Sequence, residues 1–369
     1  MKVLYVTTIS NTVNAFLIPH IKLLIDQGHQ VDLAFNSVQE LNPEVLELGC
    51  AVHNIEFQRS PLNKKNYNAF KMLKKLIENE NYDLVHTHTP IASACVRLAC
   101  RKMSVIVIYT AHGFHFYKGA PIKNWVIYYP LERYLSKYTD VLITINKEDY
   151  RRARKSFDSK RVEYVPGVGL NTKRFINVSV NNSEKRKELS IPLDAFVALS
   201  VGELNKNKNH ETIIRAIAKL KNSNIYYILC GQGPLESYLI KLIIDLGLEK
   251  QVSLLGFRTD IDELCKISDI FVFPSKREGL GMAALEAMAT GLPIITSNIH
   301  GIVDYSVNGE TGFTCNPTDI KSFAKAIKKL QEDKLLRNKM GRNNQESVNI
   351  YSVENAIDKN SEIYQNYIT

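Results

Sequence analysis

Two glutamates and two glycines in the segment PSKREGLGMAALEAMATGLP (residues 274–293) have the types and spacing of a ligand site. A strand-like apolar run precedes Glu278, and Gly279 and Gly281 lead into an amphipathic helix that carries Glu286. Glycines at such a turn let backbone N–H groups approach a ligand, and a helix N-terminus favours negative charge, so the turn suits a diphosphate. Carboxylates would repel a diphosphate, and we expect both to accept hydrogen bonds from hydroxyl groups instead. The combination predicts a nucleotide-sugar as the ligand.

The spacing of Glu278 and Glu286, with seven residues between them, resembles the donor site of glycosyltransferase family 4, whose members are retaining enzymes of the GT-B fold. The resemblance continues in VGELNKNKNHETIIRA (201–216), CGQGPLESYL (230–239) and LLGFRTDIDELCKISDIFVFPS (254–275). Two blocks of the first half, YTAHGFHFYKGAPIKNW (109–125) and TINKEDYRRA (144–153), resemble the branch that builds bacterial capsule and exopolysaccharide repeat units.

The resemblance gives Lys208 the role of holding the donor diphosphate. A fixed ammonium aimed at the leaving diphosphate would stabilise the charge that develops as the glycosidic bond breaks. A solvated lysine in a capping loop is the alternative. Glu203 stands where many family members place an arginine that shares this task, and Lys206 or Arg258 is the candidate substitute.

The remaining donor positions also follow from the resemblance. Glu286 would hold the ribose hydroxyls, and Glu278 would lie near the transferred hexose as part of the catalytic set with Lys208 and His112. The predicted donor-binding residues are Gly202, Lys206, Gly231, Arg258, Gly279, Leu280, Gly281 and Glu286.

In the first half, His112 matches the active-site histidine of the family, and a neutral imidazole there could hydrogen-bond the donor sugar. A satisfied histidine at a strand end is the alternative, and it is the interpretation that we favour for His86 and His88. The usual glycine-rich loop after the first strand is replaced by TTISNTVNAF. Its polar residues are the candidates for the acceptor side: Ser10, Asn11 and Asn14.

No metal or other cofactor is expected. Asp260-Ile261-Asp262 has the form of an acidic metal motif, but it opens a helix-like segment, where acidic residues are stabilised by the helix dipole. No histidine and cysteine cluster has zinc-like spacing. The sequence therefore predicts a transferase that treats the nucleotide-sugar as a substrate and needs no metal.

Strand-like and helix-like segments alternate along all 369 residues, which predicts doubly wound parallel sheets. The pattern restarts after a polar stretch (176–190), so we expect two Rossmann-like domains of the GT-B fold facing across a cleft, with ligands beyond the carboxyl ends of strands. We place the acceptor-side domain at 1–178 and the donor-binding domain at 190–351. In the resembled fold the last helix, here 352–369, packs back on the first domain.

The chain carries no run of about 18 uncharged apolar residues and no leader-like start, which predicts a cytoplasmic protein. Its six cysteines include no CxxC pair, and we expect reduced core thiols.

Positive charge concentrates in the first half. Residues 1–170 hold 22 Lys and Arg against 15 Asp and Glu, a surplus of 7 out of the net charge of +9. Three segments there mix cations with aromatic residues, which suits an anionic membrane surface, although solvated helix faces would look the same. No recognised nucleic-acid module is present, and nucleic acid is not an expected partner.

The leading function is retaining transfer of a sugar from a nucleotide-sugar, expected to be UDP-linked, to a polyprenyl-diphosphate-linked or other glycan acceptor. We expect it on the inner face of the cytoplasmic membrane, in capsule or exopolysaccharide synthesis. Two alternatives remain open: a nucleotide-sugar 2-epimerase of the same fold, and a non-catalytic subunit that binds sugar nucleotides, which only Glu203 favours.

Overall fold

A computed structural model describes residues 1–367 of the chain. It divides into two compact units, one made of Met1–Gly169 together with the residues from Val353 onward, the other of Leu170–Ser352. The division falls before the predicted boundary at residue 178. Leu170, for example, bridges to Ser352 within the second unit.

The first unit contains a parallel sheet with the order β3-β2-β1-β4-β5-β6-β7 in the described residues. Its strands are β1 Lys2–Ile9, β2 Gln30–Asn36, β3 Val52–Asn54, β4 Leu84–His88, β5 Ile106–Ala111, β6 Val141–Thr144 and β7 Arg161–Tyr164. Its first helices are α1 Ser10–Thr12, α2 Ile18–Asp26, α3 Pro43–Glu47, α4 Lys65–Glu80, α5 Pro90–Cys100, α6 Ile122–Ser136 and α7 Lys147–Ser156, with a π-helical stretch at Val13–Leu17.

The second unit repeats the design, with the order β10-β9-β8-β11-β12-β13. Its strands are β8 Phe196–Val201, β9 Ile225–Cys230, β10 Val252–Gly256, β11 Ile270–Phe273, β12 Ile294–Ser297 and β13 Gly312–Cys315. Its helices are α8 Thr172–Ile176, α9 Asn182–Glu188, α10 His210–Leu220, α11 Glu236–Asp245, α12 Ile261–Ile267, α13 Met282–Ala289, α14 Ile320–Glu332 and α15 Lys334–Ser347, with 3₁₀ turns at His300–Asp304 and Val348–Tyr351.

Both sheets are covered on their two faces, which explains their apolar sequences. Every residue of β4, β6, β11 and β12 is buried; β6 and β11 are mainly apolar, whereas β4 and β12 also bury histidine, threonine or serine side chains. In each unit the strand order reverses beside the first strand, β1 or β8, and this is where open sheets of this type bind ligands. The prediction of two Rossmann-like units is confirmed.

The last helix, α16 (Val353–Gln365), belongs to the first unit, where it packs against α2. The buried Tyr364 hydroxyl hydrogen-bonds the hydroxyl of Tyr5 in β1 and lies 2.6 Å from Nδ1 of His86 in β4. Two central strands are thereby tied to a helix more than 270 residues away in sequence.

All six cysteines are buried and free, in agreement with the prediction of core thiols. None of the helices in residues 1–367 combines the length and apolar character that a membrane crossing requires.

Candidate active site

The loop after β8 is rigidly joined to the loop after β11. Oδ1 of Asn205 accepts hydrogen bonds from the backbone N–H groups of Asn207 and Lys208, each at 2.9 Å. Nδ2 of Asn207 donates to the carbonyl of Arg277 at 2.9 Å, and the N–H of Lys276 donates back to the carbonyl of Asn207 at 2.8 Å. Because β8 and β11 are adjacent in the sheet, two sequence-distant motifs meet at one edge.

These loops bring Lys208 and Glu278 together. Nζ of Lys208 lies 2.7 Å from Oε1 of Glu278, and it also lies 4.9 Å from the centre of the Phe273 ring. Both side chains are largely shielded, with 21% of Lys208 and 13% of Glu278 exposed. Charged hydrogen bonds of this kind are stronger than neutral ones and fix both groups in position.

Two of the predicted glycines make room for this arrangement. A Cβ on Gly202 would lie 3.1 Å from the Cδ and Cε atoms of Lys208, so the glycine leaves space for the lysine stem. A Cβ on Gly231 would lie 2.0 Å from the carbonyl oxygen of Gly202, which no side chain permits. Because both positions lack a side chain, the loop can lie close to the strand ends.

The turn between β11 and α13 is held by hydrogen bonds from a later segment of the chain. The hydroxyl of Tyr305 donates to the carbonyl of Leu280 at 2.8 Å, and the N–H of Gly301 donates to the carbonyl of Glu278 at 3.2 Å. Gly281 has a φ of 92°, and a Cβ there would lie 2.6 Å from the Phe273 ring. These contacts fix the backbone conformation of Gly279 and Leu280 immediately before α13.

Glu286 lies on α13, which is not the amphipathic helix that the sequence predicted. Ala284, Leu285 and the run 287–289 are all buried, because the helix packs among other elements of the unit. Burial raises the pKa of Glu286 to about 7, with Arg174 opposing the shift and Asp262 adding to it. The carboxyl group therefore changes its ionisation near neutral pH.

Arg258, one of the two candidate substitutes for the missing arginine, lies in an ion-pair cluster. Its guanidinium donates to both carboxylate oxygens of Asp260 and lies 3.2 Å from Glu188. Lys185 also pairs with Asp260. Lys206, the other candidate, is exposed in the same loop as Lys208.

The two acidic residues of the DxD-like motif face cations. Asp260 pairs with Arg258 and Lys185, and Asp262 lies 3.0 Å from Arg174. These contacts hold the pKa of Asp262 below its usual value. In the part of the chain that the structure describes, no group of three or more histidine, cysteine or acidic side chains is arranged to hold a metal ion.

In the first unit, His112 follows β5 and is joined to His88, which ends β4. Nε2 of His112 lies 3.1 Å from Nδ1 of His88. Burial, with a smaller contribution from His20, lowers the pKa of His112 to about 4. The imidazole is therefore neutral at physiological pH, as its predicted role requires, and His88 is a positioning contact that the sequence did not reveal.

His86 is structural, as the sequence indicated. Its ring is buried, with Nδ1 at 2.6 Å from the hydroxyl of Tyr364 and Nε2 at 2.8 Å from the hydroxyl of Thr110. Both ring nitrogens are thus used inside the fold.

The predicted acceptor residues are largely committed to a neighbouring loop. Ser10 is completely buried and its hydroxyl donates to the carbonyl of Gln39, so its assignment to an open acceptor surface is wrong. Asn11 donates to the Gln39 side chain, and Asn14 donates to the carbonyl of Glu40. Asn11 is exposed and Asn14 partly so.

A pocket of about 540 Å³ lies in the first unit beside these residues. It sits beyond β1, β4 and β5 and is mostly apolar, and its lining includes one arginine, Arg59, and one acidic residue, Glu132. Six of its lining residues are Thr8, Thr12, Arg59, His115, Tyr128 and Leu131. Arg59 was not predicted from the sequence, because it lies in an irregular loop with no recognisable motif.

The second of two Rossmann-like units carries the turn with Glu278 and the helix with Glu286, a combination typical of glycosyltransferases of the GT-B fold. The family model for glycosyl transferases group 1 matches residues 181–347, and the model for glycosyltransferase family 4 matches residues 17–168. The chain belongs to glycosyltransferase family 4.

Several curated relatives extend this result. The putative glycosyltransferase EpsD of Bacillus subtilis is 37% identical over 100% of this chain and 97% of its own length. A UDP-Gal:alpha-D-GlcNAc-diphosphoundecaprenol alpha-1,3-galactosyltransferase of Escherichia coli is 33% identical over 81% of this chain and 79% of its own. The capsular polysaccharide biosynthesis glycosyltransferase CapM of Staphylococcus aureus is 25% identical over 94% and 92%.

Solved structures agree in fold. Sucrose-phosphate synthase from Thermosynechococcus elongatus has a TM-score of 0.83 at 19% identity, covering 100% of this chain and 99% of its own. HepE of Anabaena, in complex with UDP and glucose, has a TM-score of 0.82 at 19% identity, covering 99% and 100%. The predicted GT-B class is therefore confirmed.

Proposed function

We propose that this glycosyltransferase is a retaining enzyme that moves a sugar from a UDP-linked donor to a polyprenyl-diphosphate-linked glycan. The observation that carries the proposal is the ion pair of Lys208 and Glu278, placed beside the α13 turn where β8 and β11 end. The name of the Escherichia coli relative, which includes a UDP-sugar and a diphosphoundecaprenol acceptor, supports both substrate classes.

In this proposal Lys208 moves its ammonium contact from Glu278 to the donor diphosphate. The carboxylate of Glu278 is then available to accept hydrogen bonds from the sugar hydroxyls, while Glu286 accepts those of the ribose. The bond between the anomeric carbon and the diphosphate breaks, and Lys208 stabilises the negative charge that appears on the leaving group.

Retention follows from attack on the face that the diphosphate leaves. The acceptor oxygen bonds to the anomeric carbon, and a phosphate oxygen of the leaving group takes the hydroxyl proton. No protein base is then required, which suits a site whose acids, Glu278 and Glu286, are assigned to binding. No metal is required either, because Lys208 supplies the positive charge.

The apolar pocket of the first unit is the proposed acceptor pocket. Its aliphatic and aromatic lining suits the isoprenoid part of a lipid-linked acceptor, and Arg59 suits the attached diphosphate. Asn11 and Asn14 remain candidates at its edge, and His112 is proposed to hydrogen-bond the donor sugar as a neutral imidazole.

The enzyme is proposed to work at the anionic inner face of the cytoplasmic membrane, in capsule or exopolysaccharide synthesis. The surplus of 7 positive charges in residues 1–170 supports this, as does the name of CapM. Arg151, Arg154 and Lys155 are exposed on α7. Arg152 is not part of this basic surface, because it pairs with Glu148 and lies over the Trp125 ring.

The test is a transfer assay with a panel of radiolabelled nucleotide-sugars and a polyprenyl-diphosphate-linked sugar acceptor. We expect label from one UDP-sugar to enter the lipid fraction. Conversion of the donor to its 2-epimer without acceptor would instead support the epimerase alternative. Donor binding with neither reaction would support a non-catalytic subunit.

A further inference from the structure

The helix α6 (Ile122–Ser136) carries an unusual concentration of exposed apolar side chains. Ile122 is 81% exposed, Val126 66% and Ile127 59%, and Leu131 and Tyr134 are nearly half exposed. Ile122, Val126, Pro130 and Tyr134 follow one another at intervals of four residues, and Ile127 and Leu131 lie next to them. Together they form one apolar stripe along the exposed face of the helix. Contiguous apolar surface of this kind marks an interaction site.

The opposite side of α6 fixes which way this stripe points. Trp125 and Tyr129 pack against Phe116, and Leu135 is buried. Glu132, the only acidic residue of the helix, is buried in an ion pair with Arg97 at 2.8 Å. The apolar stripe is therefore held outward by packing on its reverse side.

The charges around the stripe have a single sign. Lys123 and Arg133 are exposed on the helix, and Lys137 follows directly after it. At helical spacing Lys123 and Arg133 lie on the same face as the apolar residues, near the two ends of the stripe. Long cationic side chains so placed extend toward lipid phosphates while their stems remain in apolar surroundings. Exposed apolar side chains combined with cations only are the pattern that an anionic bilayer favours.

The same helix also forms one wall of the proposed acceptor pocket. Tyr128, Leu131 and Glu132 of α6 line the cavity of about 540 Å³. Leu131 thus belongs both to the exposed stripe and to the pocket lining. An isoprenoid chain leaving a bilayer in contact with the stripe would meet Leu131, which also lines the pocket.

We infer that α6 is a membrane-binding helix, whose stripe of Ile122, Val126, Ile127, Leu131 and Tyr134 enters the interface of an anionic bilayer beside the acceptor pocket. This extends the proposed function, on which the assignment of the pocket rests, from attraction by charge to insertion of a defined apolar face. Tyr134 supplies the amphipathic ring that such interfaces favour.

The inference is tested by co-sedimentation of the full chain with phosphatidylcholine vesicles that contain or lack phosphatidylglycerol, at low and high salt. The key variant is Ile122→Ser/Val126→Ser/Ile127→Ser, which leaves the pocket lining unchanged. We expect its partition coefficient on anionic vesicles to fall at least about tenfold, because three side chains lose their burial in lipid. High salt should weaken wild-type binding without abolishing it, since insertion is not screened.

A matched control removes three exposed apolar side chains from the second unit, with Ile240→Ser/Ile244→Ser/Leu335→Ser. It should bind as wild type does, and unchanged thermal midpoints would show that both variants fold. Equal pelleting of the α6 variant and wild type would overturn the inference. So would a wild-type dimer that the α6 substitutions dissociate, because a second copy would then cover the stripe.

The assay contains neither donor nor acceptor, so its outcome is independent of catalysis. Vesicle binding through α6 in a protein that transfers no sugar would leave this inference standing and reject the proposed function. Sugar transfer by a protein that does not bind vesicles would do the reverse.

Discussion

Nζ of Lys208 and Oε1 of Glu278 lie 2.7 Å apart, although the two residues are 70 positions apart in sequence. One was predicted to hold the donor diphosphate and the other the transferred sugar. In the proposed function, the donor diphosphate therefore competes with Glu278 for the same ammonium group. Binding of the donor and release of the Glu278 carboxylate would therefore be a single event.

Replacing Glu278 with Gln should separate nucleotide binding from transfer. Loss of the competing carboxylate should tighten UDP binding by about fivefold, which corresponds to about 1 kcal/mol for a partly exposed ion pair. The transfer rate should fall, because a side-chain amide accepts hydrogen bonds from sugar hydroxyls less well than a carboxylate does. Calorimetric titration with UDP and a turnover assay measure the two effects, and weaker UDP binding would contradict the competition.

Lys208→Ala should lower the transfer rate by about 100-fold or more, since a group that stabilises developing charge contributes about 3 kcal/mol. Lys241→Ala, at an exposed lysine of α11 that has no assigned role, is the control and should lose far less activity. Equal losses in the two variants would remove Lys208 from its assigned role.

Glu286 should make nucleotide binding depend on pH. Its pKa is raised to about 7 by burial, and the ionised form accepts ribose hydroxyls better. UDP affinity should therefore rise as pH increases from 6 to 8, by up to about tenfold per unit below the pKa. UDP itself titrates in this range, so the measured quantity is the difference between wild type and Glu286→Gln. Parallel pH profiles would show that Glu286 does not contact the nucleotide.

Activity should persist in EDTA. Asp260 and Asp262 face Lys185, Arg258 and Arg174, and these cations already neutralise the acidic motif. Asp262→Asn should accordingly change thermal stability modestly, by about 1 kcal/mol or less for so exposed a pair, and should create no metal dependence. An absolute requirement for Mg²⁺ or Mn²⁺, restored by adding the ion back, would contradict this prediction.

Gly231→Ala should destabilise the second unit by about 3 kcal/mol, because the new Cβ would lie 2.0 Å from the carbonyl oxygen of Gly202 and force the strand ends apart. Gly309→Ala is the control, since it shares a positive φ but has nothing within 4 Å of the new Cβ. Its cost should be about 1 kcal/mol. Urea unfolding of both variants decides whether close approach, rather than φ alone, requires the glycine.

Most strands were predicted because they are rich in apolar residues and alternate with helix-like segments. Every described strand except β3 was predicted, including the edge strand β7, which has no fully buried residue. Val52–Asn54 escaped because three residues are too few to form a recognisable pattern. The same apolar rule failed for α13, where burial on several sides removed the polar face that was expected.

The candidate site was predictable where a motif carries the residue type and not where tertiary contacts decide its use. Ser10 is polar and follows a strand, but its side chain is buried and donates a hydrogen bond to the carbonyl of Gln39. Arg258 was selected for its charge, and the sequence did not show that its guanidinium pairs with Asp260, two residues later. In the sequence, the exposed apolar residues of α6 cannot be distinguished from its buried aromatic residues. The structure distinguishes them, because Trp125 packs against Phe116.

The anomeric configuration of the transferred sugar decides whether the enzyme retains or inverts. Wild type is incubated with the UDP-sugar that it uses and with a polyprenyl-diphosphate-linked acceptor, and the new linkage is examined by NMR. Since these donors carry an α-linked diphosphate, we expect an α-linked product whose formation Lys208→Ala suppresses. A β-linked product, or equal yields from wild type and Lys208→Ala, would contradict retaining transfer with Lys208 at the diphosphate.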